Sequence, residues 1–144
     1  MPIKSFRGKI ADSTQDTISL HTNNGSTGYR IVKFEILPPD SHENVESTMK
    51  VYSVSQTTIN DDIDFSDQTL LAAGVILFPQ HSSNTAARAV VFDNITFNQD
   101  IYITVSGHGY QSALNYYIEL EQVKLDLNQN TVATLKDIRN IESQ

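Results

Sequence analysis

Apolar and polar residues alternate along most of the chain, with the two-residue period of a β-strand. Over residues 29–37, Val32, Phe34 and Ile36 fall on one face and Lys33 and Glu35 on the other. Ile101, Ile103 and Val105 alternate with Tyr102 and Thr104, and Met49, Val51 and Ser53 alternate with Lys50, Tyr52 and Val54. Tyr116, Ile118 and Leu120 share a face opposed by Tyr117, Glu119 and Glu121, and the segment runs on through Val123 and Leu125. Residues 70–78 form a continuous apolar run, which predicts a strand buried on both faces, with a short buried helix as the alternative. Residues 86–92 and 15–21 add two strands, and residues 4–10 add a weaker one carrying Lys4, Arg7 and Lys9.

Turn signals separate these runs. Asn23-Asn24-Gly25-Ser26-Thr27-Gly28 is rich in residues that accept positive φ, and Pro38-Pro39-Asp40 stops a strand because proline cannot donate to the ladder. About eight short strands so spaced predict an all-β fold, an antiparallel, jelly-roll-like β-sandwich over residues 1–126. Residues 127–144 break the pattern. Val132, Leu135 and Ile138 recur at helical spacing, Asn130 or Thr131 suits the start and Arg139 the end. A short C-terminal helix or docking tail is expected there. Alone it is too short to be stable, so it needs a surface in its own subunit or a neighbour.

Composition narrows the function. The 144 residues carry a net charge of −7, and Ser, Thr, Asn and Gln account for 47 of them. An acidic surface repels phosphate, so nucleic acid is not an expected partner. The longest apolar run, nine residues, is well short of the ~20 a spanning helix needs, and no apolar run follows the first residues. A soluble chain without membrane contact or cleaved leader is expected. With no cysteine there is no disulfide, thiolate nucleophile or cysteine-held metal.

The chemistry-bearing residues do not assemble into a reaction motif. Asp61, Asp62, Asp64 and Asp67 are the densest charge cluster, and Asp61, Asp62 and Asp64 are the candidate metal site. Asp62-x-Asp64-x-Ser66 matches the first ligands of an EF-hand loop, but Asp67 stands where glycine makes the turn and Ala73 where glutamate closes the shell. The alternatives are an irregular calcium loop and a solvated acidic loop. His21, His42, His81 and His108 have no zinc spacing among them, and no G-x-S-x-G is present. Gly107-His108-Gly109 reads as a tight turn and not as a phosphate cradle. Glu119 and Glu121 point to one strand face, a pairing a glycosidase can use but more simply a solvent-facing or partner-facing stripe. Tyr52, Tyr102 and Tyr117 lie on the polar side of their strands, where a ring with a polar tip suits an interface.

Several stretches resemble a family of small structural proteins from marine tailed bacteriophages. They are Ile3-Lys4-Ser5-Phe6-Arg7-Gly8, the run from Thr17 to Ile31, Asp64-Phe65-Ser66-Asp67, the run from Phe97 to Thr104, and the C-terminal runs from Asn115 to Leu127 and Thr131 to Arg139. The resemblance implies a virion component assembled in the host cytoplasm, with no enzymatic activity and no cofactor. The expected part is a capsid decoration or cement subunit, or a tail- or portal-associated one. Its partners would be further copies of itself in a homo-oligomer and other virion proteins. Arg7, Tyr102, Tyr116, Tyr117 and Ile138 are the candidate interface residues. The rival reading is a carbohydrate-binding module on the same fold, with calcium at Asp61, Asp62 and Asp64.

Overall fold

The computed structural model describes residues 2–20, 26–39, 45–78, 86–107 and 113–125. Eight strands lie among these residues: β1 (Ile3–Ile10), β2 (Thr14–Ile18), β3 (Thr27–Leu37), β4 (Val45–Tyr52), β5 (Leu70–Phe78), β6 (Ala86–Val91), β7 (Ile101–Gly107) and β8 (Leu114–Lys124). The expected C-terminal helix, with Ile138, lies outside the described residues, as do all four histidines.

The strands form two antiparallel sheets, one ordered β1-β8-β3 and the other β2-β7-β4-β5-β6. The pairs β1–β8, β2–β7 and β4–β5 are those made when one long antiparallel hairpin is rolled up on itself, which is the jelly-roll scheme. The fourth pair of that scheme departs from it: β6 packs beside β3 but hydrogen-bonds to β5. The chain passes from one sheet to the other at residues 11–13, where Ser13 takes a left-handed φ of 60°. The turn is closed by the Ser13 amide, which donates to the Val105 carbonyl at 2.9 Å, and the Thr14 hydroxyl, which donates to the Ala11 carbonyl at 2.6 Å.

The core lies between the sheets. Leu114, Tyr116, Ile118 and Leu120 of β8 face Met49 and Val51 of β4 and Ile101, Ile103 and Val105 of β7 within one cluster. The alternation in β8 therefore has its predicted sense. In β3 it does not persist, because the register shifts between Ile31 and Lys33. The bulge takes up Val32, so the core side is filled by Tyr29, Ile31, Phe34 and Ile36, and Val32 is only half-buried. At one end, the Tyr29 and Phe97 backbones exchange hydrogen bonds of 2.7 and 2.9 Å and close the sandwich.

Candidate functional site

The outer face of the three-stranded sheet follows from its register. Arg7, Tyr117 and Glu35 form one row across β1, β8 and β3, with Ser5, Glu119 and Lys33 beside it, and Ile3, Glu121 and Arg30 beyond. Opposite charges are thus set next to one another on one pleated surface, the favourable cross-strand arrangement. The Tyr117 hydroxyl donates to Glu119 Oε2 at 2.6 Å, and the Lys33 ammonium sits 5.9 Å from the centre of its ring. The hydrogen bond to Glu119 holds the Tyr117 hydroxyl above the usual tyrosine range. Glu121 pairs with Arg30 at 2.9 Å. Both glutamates are therefore engaged by neighbours in a charge ladder on the outer face of the sheet.

Beside this row lies an open groove of about 510 Å³, walled by Arg7, Lys9, Glu35, Leu37, Asn115 and Tyr117. Gly8 and Tyr116 also border it. Tyr116 is directed inward, is 8% exposed and belongs to the core cluster, because even-numbered residues of β8 face the opposite sheet. Tyr116, expected with Tyr117 to be an interface residue, is thus a core side chain. Its ring occupies the space a side chain at position 8 would take, since a Cβ on Gly8 would stand 2.9 Å from Tyr116 Cε1. Burial, with the charge of Asp16, raises the Tyr116 hydroxyl's pKa.

Tyr102 is not part of this face. It lies on the outer side of the five-stranded sheet, half-buried between Thr17 of β2 and Tyr52 of β4. The structure thus brings Arg7 and Tyr117 together, separates Tyr102 from them and buries Tyr116.

The five-stranded sheet carries a third layer. Residues 53–69, which join β4 to β5, fold back across its outer face. Gln15 of β2 anchors one end, donating to Ser55 Oγ at 3.1 Å and accepting from the Gln56 amide at 2.9 Å. Lys50 anchors the middle. Only 3% exposed, it donates to Asn60 Oδ1 at 3.0 Å and to the Asp62 carbonyl at 2.6 Å, and its ammonium lies 5.6 Å from the centre of the Tyr52 ring. Burial lowers the Lys50 pKa, with Asp62, Asp61 and Asp67 opposing the shift. The same burial and acidic surroundings push the Tyr52 hydroxyl up to about 12. Beneath the loop, Tyr52, Leu70 and Ala73 form a small second core with Ile63 and Phe92.

The candidate metal ligands have other work here. Asp64 accepts from both the amide and the hydroxyl of Ser66, which lowers its pKa. Asp67 does the same for Thr69, at 2.8 and 2.6 Å. The cation beside this loop is the Lys50 ammonium. Among the described residues, no three acidic or histidine side chains converge as a metal set, so Asp61, Asp62 and Asp64 are not brought together. At the loop's tip Phe65 is 57% exposed, braced edge-on by the Phe92 ring at 5.1 Å.

Lys50 and Phe65 escape sequence reasoning for different reasons. A lysine alternating with apolar residues reads as solvent-facing unless something covers it, and nothing local announces the cover. Phe65 has the bare signal of an aromatic among four aspartates, with Ile63 its one close apolar neighbour in sequence.

No protein-family model and no curated protein matches the chain. Among solved structures, a chain of the disulfide-linked pili of Bacillus endospore appendages is similar over 86% of this chain and 89% of its own, with 12% identity and a TM-score of 0.36. The VP2 subviral particle of infectious bursal disease virus is similar over 91% of this chain but 35% of its own, with 12% identity and a TM-score of 0.26. At this level of overlap neither likeness bears on function.

Proposed function

We propose that the chain is a non-enzymatic structural subunit of a tailed-phage virion, a capsid decoration or cement protein or a tail- or portal-associated one, that works by burying surface against neighbours. The carrying observation is the outer face of β1-β8-β3. There Tyr117 is held by Glu119 and Lys33 before any partner arrives, next to Arg7 and an open groove. A pre-ordered ring with a polar tip loses little conformational freedom on contact, which favours it as an interface anchor. The resemblance in Ile3-Lys4-Ser5-Phe6-Arg7-Gly8 and in the run from Asn115 to Leu127 supports the same face, since residues 3–8 and 115–124 build it.

The test is the content of the particle. Gradient-purified virions of the phage encoding this chain are expected to contain it in many copies, and antibody labelling is expected to place it at the shell or the tail. Its absence from the particle refutes the reading. Tyr117→Ala is expected to reduce incorporation while leaving the chain folded, at a cost of about 1 kcal/mol for a half-buried ring with cross-strand neighbours.

A further inference from the structure

The groove beside Tyr117 and the loop tip at Phe65 stand on opposite sides of the sandwich. The groove opens on the outer face of the three-stranded sheet, whereas residues 53–69 lie over the outer face of the five-stranded one. Their chemistry is complementary. Arg7 and Lys9 edge the groove on the β1 side, and among the described residues neither forms an ion pair. Leu37, one of the most exposed large apolar side chains, walls it on the β3 side. Glu35 is the one acid among the described lining residues, and Lys33 projects from the same strand face two residues away. The loop offers the converse: an exposed benzyl ring set among Asp61, Asp62, Asp64 and Asp67.

The loop tip is also held by backbone hydrogen bonds and a ring contact. The Asp67 amide donates to the Asp64 carbonyl at 3.1 Å and the Leu70 amide to the Asp67 carbonyl at 3.2 Å, while the Phe92 ring supports Phe65 from beneath. Lys50 ties the preceding residues to the sheet. An aromatic side chain offered from a pre-organised turn has the character of an interface hot spot.

Resting on the assembly reading above, we propose that the occupant of the groove is a second copy of this chain: Phe65 of one copy enters between Leu37 and Tyr117 of the next, with the loop's aspartates against Arg7 and Lys9. Plug and socket face opposite ways, so two copies cannot satisfy both contacts mutually. The contact is head-to-tail, and it closes into a ring or continues as a filament, according to the rotation between copies.

Sedimentation velocity of the full chain tests this with two variants, Phe65→Ala (plug removed) and Arg7→Glu (socket reversed). The wild type is expected to form species beyond a dimer as concentration rises, less so in high salt because rim charges are screened. Each variant alone is expected to associate more than about tenfold more weakly. Mixing them leaves one intact plug and one intact socket, so an equimolar mixture is expected to form a one-to-one heterodimer and nothing larger. Far-ultraviolet circular dichroism checks that both variants are folded, and Lys9→Glu replaces Arg7→Glu if the latter is not. A wild type that stays monomeric overturns the proposal, as do variants that associate like wild type or a mixture that stays monomeric. None of these outcomes removes the chain from the particle. Conversely, a chain absent from virions whose variants behave as expected refutes the virion role and keeps the contact.

Discussion

Replacing Gly8 with alanine isolates the contact that keeps Tyr116 in the core. The new Cβ would lie 2.9 Å from Tyr116 Cε1 and 3.1 Å from its hydroxyl oxygen. Comfortable carbon–carbon contact begins near 3.5 Å, so the ring must retreat by roughly 0.6 Å. It has little room, because the residue is 8% exposed and packed in the main cluster. Forcing one extra carbon into such a site costs about 1–3 kcal/mol. Against this, removing glycine's excess unfolded-state freedom returns about 0.5–1 kcal/mol. The net expectation is a loss of up to about 2.5 kcal/mol, or a fall in Tm of up to roughly 8 °C for a chain of this size. Urea and thermal unfolding of Gly8→Ala, Tyr116→Leu and the double variant measure it. In the double variant the clash is gone, so the loss attributable to alanine should shrink by more than about 0.5 kcal/mol. A Gly8→Ala protein more stable than wild type, with no coupling to position 116, would refute the claim that the glycine is there for the ring.

Three further outcomes follow from other residues. Lys50→Ala removes the ammonium and its stem, leaving the Asp62 carbonyl without its donor, and is expected to cost about 2–4 kcal/mol and to open residues 53–69 to limited proteolysis, whereas Lys50→Met keeps the stem and should cost less. Tyr52 has a folded pKa of about 12 against 10.0 unfolded, so the folded state retains its proton longer; its contribution is complete below pH 10 and is lost as pH rises towards 12, by at most about 2 kcal/mol once solvent screening is allowed for. Tyr52→Phe should flatten that part of the alkaline unfolding profile. For Arg30 and Glu121, a double-mutant cycle should give a coupling of about 0.2–1 kcal/mol that falls with added salt, since both side chains are partly exposed.

How far the residues announce this structure depends on whether their neighbours lie near in sequence. The alternation in β8 is legible because one face meets the core and the other meets solvent along most of its length. In β3 the same rule misplaces Val32, since a bulge is a decision about register made with β8 and leaves no mark in the period of one strand. Strand β4 is buried at every position but Glu46, Lys50 and Tyr52 included. Its alternation is correct, yet its polar side reads as exposed because the loop that covers it comes from residues 53–69, which have no period. In β5, Leu70 to Ala73 are buried on both faces as an apolar run predicts, while Val75 and Leu77 lie exposed beyond the loop's reach. The acidic cluster likewise leaves a calcium loop and a solvated loop open, because the lysine that ties it down comes from another element.

The two outer faces differ for a topological reason, and that difference is what makes a directional contact available. Rolling the chain into a jelly roll gives β8, the last strand described, a central place between β1 and β3, and among the described residues no segment covers the outer face of that sheet. The connection from β4 to β5 is the longest stretch between consecutive strands, and it has only the five-stranded sheet to fold onto. One side of the molecule therefore carries a projection and the other a depression, without symmetry between them. In the proposed contact a subunit meets its like through unlike surfaces, and the charges agree with the shapes: β1 brings Arg7 and Lys9 to the depressed side, and the loop brings four aspartates to the projecting one. If charge alone mattered, exchanging Asp62 for lysine and Arg7 for glutamate in the same chain would restore association lost in either single variant. If shape dominates, that exchange restores little, and only the aromatic at position 65 decides whether copies join. The measured ratio between the charge exchange and Phe65→Ala apportions the contact between steering at its rim and burial at its centre.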